Sequence, residues 1–257
     1  MDRAELVALD AGRGAVTLED FRAVAAAGAD AERFLQDLLT ADVADLREGE
    51  ATPSLLLGPT GRIRAELHVL RRPDGFLLLQ RRDQPTSVAE LLARYVLSAE
   101  VRLTEEPTPP LLGVPSPGRW RFVPLDTPDL VRVSADALEA WRIRRGIPRF
   151  PVDLDEDSLP AEAGLDDGVT IARDKGCYLG QESVARVRLG HPPRVVLALR
   201  AERPVPAGAT VHAGGRVAGV VTSVEADADG DVALLARIRW EHRDAELLAG
   251  GVPLRRP

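Results

Sequence analysis

Beyond about residue 193 the chain breaks into short β-prone pieces, Arg194 to Arg200, Thr210 to His212, Gly219 to Val224 and Val232 to Trp240, separated by Gly, Pro and Asp. Such spacing favours a small antiparallel barrel or sandwich. Upstream, helical and strand patterns alternate, and no period suggests a solenoid. The expected architecture is therefore α+β over 1–193 followed by an all-β module over 194–257.

Several elements of the first part carry local signals. Asp30 is placed to cap a short helix with Phe34, Leu35, Leu38 and Leu39 on one side, ending near Thr40-Ala41-Asp42. Two strands, Arg62 to Leu70 and Gly75 to Arg82, flank Pro73-Asp74-Gly75 and predict a hairpin. Ser87-Val88-Ala89-Glu90 matches a capping box, and Val88, Leu91, Leu92, Tyr95 and Val96 follow at helical spacing. A further helix begins at Ser134, buries Leu138 and Trp141, and stops at Gly146 before Ile147-Pro148. Its last turn carries Arg142, Arg144 and Arg145, which suit the negative end of the helix dipole and predict a solvated helix end. Residues 105–118 hold Pro107, Pro109, Pro110, Pro115 and Pro117, and are read as an extended connection outside the core.

Composition narrows the function. A chain of 257 residues, 45% apolar and 28% charged, can bury one large core or two to three smaller ones. Its opening, Met1-Asp2-Arg3-Ala4-Glu5, has no basic region leading into an apolar stretch, and no later apolar run is long enough for a bilayer, so a cytoplasmic protein with no membrane partner is expected. A formal charge of −7 gives no footprint for direct nucleic-acid binding. One cysteine excludes an internal disulfide and an all-cysteine metal site, and His68, His191, His212 and His242 lack ligand spacing, so no metal is expected.

The segment Asp174-Lys175-Gly176-Cys177-Tyr178-Leu179-Gly180-Gln181-Glu182 concentrates the chemistry. Arginine is used 32 times and lysine once, and that lysine lies two residues from the one cysteine. A compact ammonium on a flexible stem fits where a broad planar guanidinium does not, so a small pocket or a tuned amine separates the two. Gly176 and Gly180 permit positive φ or close backbone approach on either side of the sulfur. The pattern from Gln181 to Leu189 continues as a short helix ending at Gly190. Cys177 would then precede a helix start, whose partial positive charge, with the Lys175 ammonium, favours a thiolate, while Glu182 opposes it. A lone cysteine that merely packs is the competing reading.

At these residues the chain resembles a known family. Lys175-Gly176-Cys177-Tyr178-Leu179-Gly180-Gln181-Glu182 is similar to the lysine-glycine-cysteine-aromatic-any-glycine-glutamine-glutamate signature of the YgfZ family, folate-binding proteins built like the glycine-cleavage T-protein. Arg186 and Gly190 continue the likeness, as do Leu159 to Leu165, Trp141 to Pro148, Gly28 to Gln36 and Gly58 to Arg62. The resemblance implies a ring of three domains, with ferredoxin-like α+β subdomains and a small C-terminal antiparallel β-barrel, around a cavity for tetrahydrofolate or a derivative. It also implies a part in assembling or repairing iron–sulfur enzymes, including those that modify tRNA, with client or assembly proteins as partners. Cys177 and Lys175 become the expected reactive pair. Tyr178, Gln181 and Glu182 are expected near the folate, with Arg62, Arg142, Arg144 and Arg186 as partners for its carboxylates by their fork geometry.

Two departures from the T-protein pattern bear on mechanism. Arg64 and Ala65 stand where the T-protein has a pair of aspartates, and Arg144 stands where it has a pteridine-binding glutamate. A donor-only group replaces an acceptor-only one, so the pteridine cannot be held in the same manner. Glu66 lies one pleat beyond Arg64 on the same strand face and is not expected to substitute. Three classes stay open: an accessory protein for iron–sulfur assembly or repair that uses Cys177, a folate-dependent one-carbon transferase, and a non-catalytic module with a structural cysteine.

Overall fold

The computed structural model describes residues 3–226 and 232–257; Met1 and Asp2 of the opening segment lie outside the described residues. In chain order the elements are α1 (Arg3–Asp10), β1 (Gly14–Thr17), β2 (Phe21–Ala27), α2 (Ala31–Leu38), β3 (Ala51–Leu57), β4 (Ile63–Arg72), β5 (Gly75–Arg81), α3 (Val88–Ala93), β6 (Arg102–Glu106), β7 (Leu111–Ser116), β8 (Arg119–Pro124), β9 (Val131–Arg132), α4 (Ala135–Arg144) and α5 (Gln181–Arg188). The C-terminal part adds β10 (Arg194–Ala201), β11 (Thr210–Ala213), β12 (Arg216–Ala226), β13 (Val232–Arg239), β14 (Leu247–Ala249) and β15 (Val252–Leu254). No helix among the described residues is long and apolar enough to cross a membrane.

The strands form three sheets, in the orders β3-β4-β5-β2-β6, β8-β7-β1-β9 and β10-β13-β12-β11-β14-β15. The chain leaves the second sheet after β1, builds the whole of the first, and returns with β7. Strand periodicity explains why the first sheet lies in the middle: on β5, Phe76 and Leu78 pack under α2 and α3 with Phe34, Leu35 and Leu92, while Leu77 and Leu79 face Phe122 and Trp120 of the second sheet. On the far side of the second sheet, Leu9 of α1 meets Val133, Leu138 and Trp141 around α4. The third sheet curls around Leu199, Val211, Leu234 and Ile238, and its two ends meet at reciprocal backbone bonds between Arg200 and Arg255 of 2.7 and 2.9 Å. The result is the α+β architecture read from the sequence, with a curled C-terminal half-barrel.

Two local expectations are corrected and a third is met. Leu111–Ser116, read as a connection outside the core, is a strand with Leu112 and Val114 buried. Pro107, Pro109 and Pro110 precede it, and Pro115 lies beyond Leu112 and Gly113, the residues paired with β1, so that neighbour loses no ladder bond. Asp30 does not cap α2; its carboxylate accepts from the Glu100 N–H at 2.8 Å and ties the helix start to the approach of β6. Ser87 does cap α3, accepting from the Ala89 N–H at 3.3 Å, but its hydroxyl donates to Glu105 at 2.9 Å.

The end of α4 is also not the solvated turn expected. Arg142 is only 4% exposed, and Asp153 only 1%. The guanidinium donates to Asp153 Oδ2 at 2.7 Å, to the Ile147 carbonyl at 3.0 Å, to Ser223 Oγ on β12 at 2.8 Å, and to both oxygens of Glu139. Asp153 also accepts from Thr222 Oγ1, Ser223 Oγ and the Arg149 N–H. α4, the segment 147–153 and the C-terminal sheet thus meet on one buried ion pair whose hydrogen-bonding capacity is used on both sides.

Removing one partner of such a pair leaves the other charge buried and unbalanced. Asp153→Ala is expected to lose about 3–5 kcal/mol of stability, read by equilibrium denaturation. A loss below about 1 kcal/mol would mean that the pair does not hold these bodies together.

Candidate functional site

The loop before α5 is fastened to the C-terminal end of α2. Ala172 N–H donates to the Thr40 carbonyl at 3.0 Å, Leu179 N–H to the Asp37 carbonyl at 3.1 Å, and Lys175 Nζ to the carbonyls of Leu39 at 2.6 Å and Ala41 at 2.8 Å. Tyr178 is buried with Leu55, Leu57, Ile63, Phe150 and Val184, and Lys175 Nζ lies 5.4 Å from its ring centre. Gly180 has φ +83°, and a Cβ there would sit 2.7 Å from the Gly58 carbonyl oxygen. The backbones of two loops touch at that point, which only glycine allows. Gly176 needs no such freedom: its φ is not positive and a Cβ would meet nothing within 4 Å.

This geometry accounts for the unique lysine. Two backbone carbonyls converge in a buried site that a compact ammonium fills and a broad planar fork does not match. Burial lowers its pKa to about 8, against the opposing pull of the Asp42 and Asp37 carboxylates. Its bonds serve the loop, not the sulfur. Cys177 itself is exposed, so the purely packed cysteine is not what the chain builds.

The remaining expected residues scatter. Arg62 donates to the Asp157 carbonyl at the surface. Arg144 turns toward Glu225 of β12 at 3.4 Å. Gln181 opens α5, and Glu182 pairs with Arg186 at 2.9 Å on its exposed face. None of these, and neither Cys177 nor Lys175, lines the cavity at the junction of the sheets; of the arginines expected at the folate, only Arg142 does. That cavity holds about 280 Å³ and is walled by Trp120 and Trp141, by Ile147-Pro148, and by Glu66, His68, Arg81 and Arg149. A separate groove of about 350 Å³, lined by Leu57, Gly58, Arg64, Arg94 and Tyr95, runs beside the loop because Gly180 packs on Leu57 and Gly58.

Glu66, not expected from its strand position to replace the lost carboxylate, lines the central cavity. Its backbone N–H and carbonyl are both bonded by the side-chain amide of Gln84, at 3.0 and 2.6 Å, which fixes this point of β4. The carboxylate faces the central cavity while Arg64, on the same strand, lines the groove. Burial raises its pKa, opposed by the Phe150 N–H at 2.7 Å and by the charges of Arg81, Arg149 and Arg142. Nearby His68 is pushed down to about 3 by burial and by Arg81, and is therefore neutral. The sequence does carry a signal for both: Arg64, Glu66 and His68 alternate with Ile63, Ala65, Leu67 and Val69, a polar face on a strand that turns out to border a cavity.

One lysine in the chain makes its titration unambiguous. In protein labelled at lysine alone, the ε-amine resonance is expected to titrate near pH 8, and a midpoint near the ordinary 10.5 would contradict the buried clamp. Because the unfolded chain holds this proton more tightly, the group's contribution to stability should grow as pH rises from about 8 toward 10.5.

No protein-family model matches the chain. It is 28% identical to the tRNA-modifying protein YgfZ of Enterobacter sp. (strain 638), with 67% of each chain covered. The tRNA-modifying protein YgfZ of Escherichia coli O7:K1 is 24% identical over the same shares. Among solved structures, the glycine cleavage system aminomethyltransferase T from Bartonella henselae superposes with a TM-score of 0.77 at 18% identity, covering 97% of this chain and 87% of that one. The chain is thus a homologue of the YgfZ proteins, carried on the fold of the glycine-cleavage aminomethyltransferase.

Proposed function

We propose that this protein binds a reduced folate, tetrahydrofolate or a derivative, in the central cavity and acts in the cytoplasm as an accessory factor for iron–sulfur enzymes, including those that modify tRNA. The observation that carries the reading is the cavity itself, in a chain with the T-protein fold: two tryptophans and apolar walls for a flat ring, with guanidiniums and one carboxyl for its polar groups. The residues fit such a ligand. His68 Nδ1 is buried there without a hydrogen-bond partner among the described residues, which a polar guest would supply.

T-protein chemistry does not carry over. Arg64 and Ala65 replace its aspartates, and Arg144 bonds Glu225 instead of reaching the cavity. In this reading Cys177 is an accessible thiol that ligates an iron of a client's cluster transiently, and Lys175 holds the loop that presents it. Partners are client or assembly proteins; the net charge of −7 argues against direct contact with tRNA. The second reading, a one-carbon transferase, gains some support from Glu66, which gives the cavity a carboxyl. Turnover of a methylene or formyl donor by the pure protein separates the two.

Calorimetry with tetrahydrofolate derivatives is expected to show one saturable site in wild type and an unchanged site in Cys177→Ala, since the sulfur does not line the cavity. Absence of binding by wild type would remove the folate assignment. In a deletion strain, Cys177→Ala should fold yet fail to restore iron–sulfur enzyme activity, and full rescue would remove the thiol role. A thiol reagent should label Cys177 in the native protein about as fast as in the unfolded chain; protection of about a hundredfold or more would show the sulfur to be shielded.

A further inference from the structure

The β4–β5 ribbon presents three polar side chains to the central cavity. Glu66 and His68 lie two apart on one face of β4, and the pairing of Leu67 with Gln80 brings Arg81 alongside Glu66. All three keep hydrogen-bonding capacity that the protein does not use. Arg81 is half-buried over the rings of Phe21 and Trp120, at 5.3 and 5.9 Å, and among the described residues its guanidinium makes no hydrogen bond and no salt bridge. Its neighbours differ: Arg142 is paired with Asp153 and Glu139, and Arg149 with Asp83 and Glu139. His68 Nδ1 has no hydrogen-bond partner among the described residues, and its ring sits 5.2 Å from Trp120 and 5.4 Å from Phe122. Glu66 takes one bond, from the Phe150 N–H to Oε2, which leaves Oε1 for the cavity.

Withdrawing such groups from water without partners is unfavourable, and native proteins keep few of them outside functional sites. We propose that Glu66, His68 and Arg81 together read the polar edge of a flat, neutral heterocycle with a ring N–H beside a carbonyl. The N–H donates to Glu66 Oε1, the carbonyl accepts from the Arg81 guanidinium, and the neutral His68 ring takes the next polar atom on the other side of the N–H. One cation, one anion and one neutral ring give the trio no net charge, so it selects a bipolar edge and not an anion. Trp120 supplies the adjoining flat surface. The inference deepens the folate reading and rests on it: the amino-oxo head of a reduced pteridine has this edge, and the trio replaces the acceptor lost where Arg144 turns away to Glu225.

The test uses three probes by calorimetry: tetrahydrofolate, a tetrahydropterin without the tail, and p-aminobenzoylglutamate, the tail alone. Glu66→Gln, whose amide oxygen still accepts from Phe150, and Arg81→Met should each weaken tetrahydropterin and tetrahydrofolate about tenfold or more while leaving the tail fragment unchanged. Ligand-free Arg81→Met should melt at or above the wild-type temperature, because it removes a desolvated guanidinium that makes no hydrogen bond or salt bridge to the described residues and that also faces the Arg149 charge. A structural role for Arg81 predicts the opposite. Variants that bind tetrahydropterin like wild type, or an Arg81→Met that melts well below it, would overturn this proposal and leave folate binding standing. Wild type that takes up no folate would overturn the folate reading, and this inference with it.

Discussion

The buried pair of Arg142 and Asp153 is the joint on which the rest of the molecule is arranged. It closes α4, fixes the segment that runs to Phe150, and receives Thr222 and Ser223 from the C-terminal sheet. A buried ion pair contributes little net stability compared with an apolar contact of the same volume, but its directional bonds define one relative placement of the pieces it joins. The bodies meet on this polar node beside an apolar contact of Ile143 with Ala233 and Leu235, and a gap with polar walls lies next to the node. The central cavity lies against this node, and Arg142 is part of its lining.

The signature loop obeys a similar logic at a second place. Its lysine is spent inward on the carbonyls of Leu39 and Ala41, its tyrosine is a core anchor, and its second glycine lets the loop touch the backbone of Gly58. What remains outside is the sulfur. A short motif that looks like a reactive constellation is thus mostly a mounting, which holds one exposed thiol at a set place beside a groove and apart from the cavity. The sulfur and the central cavity, expected together from the sequence, do not share a lining.

How much of this was legible follows from the range of the interactions. Helix starts at Ser87 and Ser134, the stop at Gly146, the hairpin at Pro73-Asp74 and the strands beyond residue 193 are local devices, and the chain realises each of them. The prolines of 105–118 misled because a count says nothing of which backbone groups a strand must pair; β7 needs its N–H groups at Leu112 and Gly113, next to β1. Arg142 and Arg144 share a helix end, and only tertiary partners 81 residues away, Ser223 and Glu225, decide that one is buried in a network and the other is not. The cavity was the least legible part, since it is assembled from β4, β5, β8, the end of α4 and residues 163–170, which no window of sequence brings together. Strand position alone argues against Glu66 as a substitute for the lost aspartate, whereas its place on the cavity comes from the elements that surround it.

The most direct test of the account is a crystal structure of the protein soaked with tetrahydrofolate. The account predicts ring density against Trp120, with its polar edge on Glu66 and Arg81. Density instead in the groove beside Arg64 and Tyr95, or ring contacts made by Tyr178, Gln181 and Glu182 of the signature loop, would contradict it.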